Sequence, residues 1–294
     1  MKAIVFYLTL VLIYFVSILP FPLLYAFSDF VYFVLYYLIG YRKKVVYENL
    51  KKSFPEKSEA ELLKLRKQFY HYLCDLATES WKTLTISKKK MLKHCSITQS
   101  AGELMDKLYA ENRNIILVMG HFGNWEWAGN SFSLTRKHQL YVIYHPLKNK
   151  YFNKFIINMR MRFGTKLIAM NDTMRDMFAL REGPRNATAF ITDQTPQPDR
   201  AHWMQFLHQD TPVFLGTEKF AKKLNYPVVY VSVKRVKRGY YEIDCELLFK
   251  EPNATLPNEI TERHTKRLEE DIRAIPATWL WSHRRWKHKK GSDK

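Results

Sequence analysis

His121 and Glu126 lie five positions apart in residues 113–129, RNIILVMGHFGNWEWAG, just past a short apolar run. A histidine hydrogen-bonded to a carboxylate is held in one tautomer and becomes a better base. No serine or cysteine stands in this stretch to be activated. The proton to be taken then belongs to a substrate hydroxyl or to water, which points to acyl transfer or hydrolysis without a covalent enzyme intermediate. The competing interpretation makes His121 a strand-end cap and Glu126 a solvated helix residue.

The elements around the pair decide whether it can form. On a regular helix, residues five apart sit about 140° apart around the axis and face different ways. His121 can meet Glu126 only from a turn. Gly120 and Gly123 permit one, because glycine tolerates positive φ, and Asn124 is suited to cap a helix carrying Glu126. Ile115–Met119, bounded by polar residues and Gly120, reads as a buried strand. The segment is therefore expected to run strand, glycine-hinged turn, helix start, with backbone N–H groups at Gly123 and Asn124 as oxyanion donors.

Two further strands, at 140–144 and 187–192, end in His145-Pro146 and Asp193-Gln194. Residues 151–163 read as a helix carrying Arg160 and stopped by Gly164, and residues 226–234 and 240–249 as a hairpin around Arg238-Gly239. Ser58 to Glu61 has the form of a capping box, followed by Leu62, Leu65, Phe69, Leu73 and Leu76 at helical spacing. Strands alternating with helices imply an α/β fold with a mostly parallel sheet flanked by helices. Ligands bind such sheets beyond the strands' carboxyl ends, so His121, His145 and Asp193 are expected to share one edge.

Residues 3–19 are uncharged and are followed, after Pro20-Phe21-Pro22, by a second, aromatic-rich apolar stretch to residue 39. Seventeen residues of helix span about 26 Å, close to a hydrocarbon core of roughly 30 Å. The expectation is a membrane anchor over residues 1–40, as one span plus an interfacial helix or as a two-helix hairpin, ahead of a catalytic domain over 41–294. Arg42, Lys43 and Lys44 mark the cytoplasmic side in both cases. The net charge of +19 suits nucleic acid, an anionic membrane or a phosphorylated substrate. No nucleic-acid recognition motif is present, which argues against the first. Three widely spaced cysteines, Cys74, Cys95 and Cys245, lack metal-ligand spacing and point to a reduced, cytoplasmic setting for the main domain; no metal and no cofactor is expected. Residues 275–294 mix three tryptophans with Arg284, Arg285 and lysines, suiting a membrane or phosphate contact as well as a tail held to the body by its tryptophans.

GYRKKVVYENLKKSFPEKS, GHFGNWEW, YHPLKNKYFNK with Arg160 and Gly164, FITDQTP, FLHQDTPVFLGTEKFAKKL and WLWSHRRWK occur in an order that resembles the late acyltransferases of lipid A biosynthesis, the lauroyl/myristoyl acyltransferase family. The resemblance implies an inner-membrane enzyme, its catalytic domain cytoplasmic, that moves a fatty acyl chain from acyl carrier protein to a hydroxyl of an acylated, phosphorylated glucosamine disaccharide. It makes His121 the general base, Glu126 its orienting partner and Asp193 a member of the active site. Gly123, Asn124, His145, Arg160, Gln194, Arg284 and Arg285 are the expected substrate contacts. The family commonly has arginine where this chain has His145. Phe206, Leu207, Val213, Phe214 and Leu215 are candidates for an acyl groove or for ordinary core. The alternatives are transfer to another glycolipid or aminolipid, a membrane-bound thioesterase or hydrolase using the same pair with water, and a non-enzymatic binder of anionic lipid.

Overall fold

The structure, a computed structural model, describes residues 2–291; the last three residues of the basic tail lie outside the described residues. Among the described residues nine strands form in chain order: β1 (Cys95–Ile97), β2 (Ile115–Met119), β3 (Gln139–Tyr144), β4 (Lys166–Ala169), β5 (Asn186–Ile191), β6 (Ala201–Phe206), β7 (Gln209–Phe214), β8 (Val228–Lys237) and β9 (Tyr240–Phe249). Seven make one sheet in the order β1-β9-β8-β2-β5-β3-β4, while β6 and β7 form a separate hairpin. All neighbours in the large sheet are parallel except β8 and β9, the antiparallel hairpin expected around Gly239, which adopts φ +76°.

β2 sits centrally and all five of its residues are buried. Alternation along a strand sends successive side chains to opposite faces. Ile116 and Val118 accordingly pack into one core, with the helices Glu59–Lys82, Gly216–Leu224 and Glu259–Ala274. Ile115, Leu117 and Met119 join a second core, with Gln99–Ala110 and Trp125–Thr135. Fully burying each such aliphatic side chain is worth about 1.5–3 kcal/mol.

The Glu59–Lys82 helix begins at the expected capping box: Ser58 Oγ accepts from Glu61 N–H and the Glu61 carboxylate accepts from Ser58 N–H. Two apolar helices, Lys2–Ile18 and Phe21–Phe33 with its π-helical extension Val34–Ile39, precede the body. By length and composition the second is long and apolar enough to cross a membrane, and among the described residues Phe6–Ile18 of the first is a shorter apolar helix. The polar residues of the second helix all turn toward the body: Ser28 Oγ donates to Asp75 at 2.7 Å, Tyr25 Oη to Glu79 at 2.9 Å, and Asp29 is bound by Arg238. Leu23, Phe30, Phe33, Leu38 and Ile39 remain exposed on its other side.

Candidate active site

β2, β5 and β3 are neighbouring parallel strands, so the segments that follow them emerge on one edge of the sheet, as the three polar strand ends required. Met119 is in register with Ile191. Two residues beyond each, His121 and Asp193 meet. His121 Nδ1 lies 2.6 Å from Asp193 Oδ1, and the backbone N–H of His121 donates to Oδ2 at 2.8 Å. The indole N–H of Trp279 donates to the same Oδ2 at 2.8 Å. Burial pushes the Asp193 carboxyl upward, but the imidazole and these donors more than offset it and hold it down at about 2. An ionised Asp193 fixes the neutral tautomer of His121 with the proton on Nδ1 and leaves Nε2 as the basic nitrogen. Trp125 packs edge-on against the imidazole, with ring centroids 4.9 Å apart.

The two glycines act differently. Gly123 has φ +59°, and a Cβ there would lie 1.9 Å from the Val233 carbonyl oxygen. At Gly120 a Cβ would meet Leu268 at 2.6 Å and Asp193 Oδ2 at 3.2 Å, so its smallness lets the carboxylate approach the turn. Asn124 caps the Trp125–Thr135 helix, accepting from Trp127 N–H at 3.0 Å.

Glu126 is not the partner of His121. Both of its oxygens accept from Arg160, with Nε at 2.9 Å from Oε2 and a second bond from Nη2 to Oε1. As an early residue of its helix, Glu126 reaches the Lys150–Met161 helix, while the imidazole is engaged by a strand end 72 residues away. The expected oxyanion donor at Gly123 also fails, because its N–H donates to Thr278 O at 3.0 Å. Asn124 is wholly buried, with its side-chain amide donating to Glu79. Neither residue faces the cavity.

That cavity, about 410 Å³, opens beside the site on the β2 face that carries Leu117. His121, Glu126, Arg160, His145 and Gln194 line it, together with Trp125. Its floor is apolar, built from strand residues such as Leu117, Ala189 and Val231, and from Gly129 and Phe132 on one helix and Ile156 on another. Of the two readings of Phe206, Leu207 and Val213, groove or ordinary core, the second holds. Phe206, Leu207 and Val213 are buried in and around the β6–β7 hairpin, outside this cavity.

Arg284 and Arg285 are likewise outside it. Arg285 is 2% exposed and donates to Pro212 O, and Arg284 contributes its carbonyl to Thr195. Both belong to a strap, residues 275–286, that runs along the 120–126 turn: Leu280 N–H donates to His121 O, and Phe122 bridges to Trp279. The tryptophans tie this strap to the body, with Trp279 and Trp286 packed on Phe206.

The model of bacterial lipid A biosynthesis acyltransferases matches residues 1–288. The chain belongs to that family. Comparison with curated proteins gave no match. Family membership implies acyl transfer, with an acyl donor and a lipid acceptor as substrates. The residues missed from sequence are Trp125 and Trp279. Both stand in segments that carried the resemblance, but no spacing rule ties an indole to a carboxylate across 86 residues.

Proposed function

We propose that this protein is a membrane-bound O-acyltransferase that moves a fatty acyl chain from an acyl carrier protein thioester to a hydroxyl of a lipid A precursor. The single observation that carries the reading is the His121–Asp193 pair at the mouth of an apolar cavity. His121 Nε2 takes the proton of the acceptor hydroxyl as its oxygen attacks the thioester carbonyl, and returns a proton to the leaving thiolate as the tetrahedral intermediate collapses. Asp193 orients the ring and stabilises the imidazolium. General base catalysis supplies typically 10²- to 10⁴-fold, roughly 3 to 5 kcal/mol.

Arg160 binds Glu126 through Nε and Nη2 and lines the cavity, where its guanidinium serves the developing oxyanion. Glu126 thus acts through Arg160, by fixing the guanidinium plane. The cavity floor takes the acyl chain, each buried CH₂ contributing about 0.8 kcal/mol. His145 and Gln194, exposed at the rim, face the acceptor headgroup or the pantetheine arm. Residues 1–40 anchor the protein to the inner membrane, with the body on the cytoplasmic side, and the +19 charge serves the anionic bilayer and the acidic carrier protein.

Incubating the purified protein with lauroyl acyl carrier protein and a phosphorylated, acylated glucosamine disaccharide, and weighing the products by mass spectrometry, tests this reading. Acylated disaccharide that disappears in His121→Ala is expected. Release of free fatty acid with no dependence on the acceptor would instead assign a thioesterase.

A further inference from the structure

Glu79 is a carboxylate with 0% exposure that the reaction above does not use. It lies on the Glu59–Lys82 helix, between two parts of the molecule that otherwise belong to different jobs. On one side, Oε2 accepts from Asn124 Nδ2 at 2.8 Å, and the Glu79 backbone carbonyl accepts from the Trp127 indole at 2.9 Å. Asn124 and Trp127 begin the helix that carries Glu126. On the other side, Oε1 accepts from Tyr25 Oη at 2.9 Å, and Tyr25 belongs to the Phe21–Phe33 helix. Tyr241 Oη, at 2.8 Å from Oε2, completes the setting.

The same helix makes parallel contacts one and two turns earlier. Tyr72 Oη donates to Gly123 O at 2.6 Å, and Asp75 accepts from Ser28 Oγ at 2.7 Å. Residues 72, 75 and 79 fall on one face of a helix, since steps of three and four return to the same side. One face of the Glu59–Lys82 helix therefore grips both the catalytic turn and the apolar N-terminal helix. Glu79 is the residue that touches both. A buried acceptor that loses one of its donors is left unsatisfied and must shift to recover a partner. Any such shift moves Asn124, and with it the start of the helix that sets Glu126 and Arg160.

We infer that Glu79 is a positioning residue for the 120–126 turn, and that seating of the Phe21–Phe33 helix through Tyr25 completes its setting, so that turnover depends on that helix being docked. The inference rests on the reading of this turn as the catalytic one. It predicts that unseating the helix weakens catalysis without touching the cavity that binds the acyl chain.

The test compares full-length wild type, Tyr25→Phe, Glu79→Gln and the double variant in detergent micelles, with lauroyl acyl carrier protein and the phosphorylated disaccharide acceptor. Expected are a fall in kcat of about tenfold for Glu79→Gln and about threefold for Tyr25→Phe, with KM for the thioester within about twofold of wild type. The double variant falls no further than Glu79→Gln alone, because Tyr25 acts through Glu79; independent structural damage would multiply. Amide hydrogen exchange across residues 120–130 should quicken in both single variants. Undiminished kcat and unchanged exchange in both, or multiplicative losses in the double, overturn the inference. His121→Ala run alongside separates the two levels: transfer surviving in it defeats the catalytic reading and this inference together, whereas an inert His121→Ala beside fully active Glu79 and Tyr25 variants defeats this inference alone.

Discussion

Asp193 binds the imidazole of His121 at 2.6 Å, and Glu126, only five residues from that histidine, is bound by Arg160 instead. The acid that is near in sequence is thus separated from the base by the helix it starts, and the acid that is distant arrives through strand register. Two carboxylate-held pairs result beside one cavity, one with an imidazole and one with a guanidinium.

Trp279→Phe keeps an aromatic ring against Phe206 but removes the donor to Asp193 Oδ2. A hydrogen bond to a charged group is worth about 1.5–3 kcal/mol, so a comparable loss of stability is expected in denaturant melts. The carboxylate can then rotate away from the ring, and kcat should fall about tenfold, equivalent to 1.36 kcal/mol. A variant equal to wild type in both measurements would remove Trp279 from the catalytic support.

Gly129 lines the cavity, and a Cβ there would sit 3.7 Å from Leu140, an ordinary contact. Gly129→Leu should therefore fold and fill part of the floor. In competition among acyl carrier protein thioesters of different length, the preference should move to shorter chains by about two to four carbons, the volume of the added side chain. Unaltered chain preference would place the acyl chain elsewhere.

Arg160→Lys keeps the charge but cannot clamp both oxygens of Glu126. Turnover is expected to fall about 10²-fold with KM little changed, because the donor is lost where negative charge develops. A rise in KM alone would make Arg160 a binding contact only.

Stability should vary with pH in two ways of opposite sign. Asp193 is held at about 2 by His121 and the other donors against burial, below its unfolded value of about 3.9. Its contribution is present above pH 4 and is lost as pH falls through about 2. Glu79 is raised to about 7, chiefly by burial, above an unfolded value of about 4.3. Its contribution is present below about pH 4 and is lost as pH rises through 7. Buried His264 and half-buried His283, both lowered to about 4 chiefly by desolvation, oppose it between pH 6.5 and 4. The difference between wild type and Glu79→Gln isolates the carboxyl: the variant should gain on wild type by on the order of 3 kcal/mol from pH 4 to 8 in denaturant titrations. A pH-independent difference would show that Glu79 does not titrate in this range.

The parts of this design that are local were legible in the sequence. β2 has the bounds its apolar run implied, Ser58 and Glu61 form their capping box, and Gly123 makes the positive-φ turn before Asn124 caps its helix. The pairing of His121 was not legible, because a five-residue spacing bears on helix geometry and is silent about which strand lies alongside β2. β6 and β7 escaped for a local reason. Their turn places Leu207 and His208 at φ +50° and +62°, and turn rules look for glycine or asparagine there. Arg285 misled because arginine among tryptophans reads as a ligand contact, whereas its guanidinium is buried against a backbone carbonyl.

Steady-state turnover of Asp193→Asn bears most directly on the claim that His121 works as a base held by Asp193. The amide preserves the shape but favours the wrong imidazole tautomer, and kcat should drop by about 10³- to 10⁴-fold in a protein that still melts cooperatively. Turnover within a few-fold of wild type, in a preparation where Glu126→Gln is inert, would contradict it.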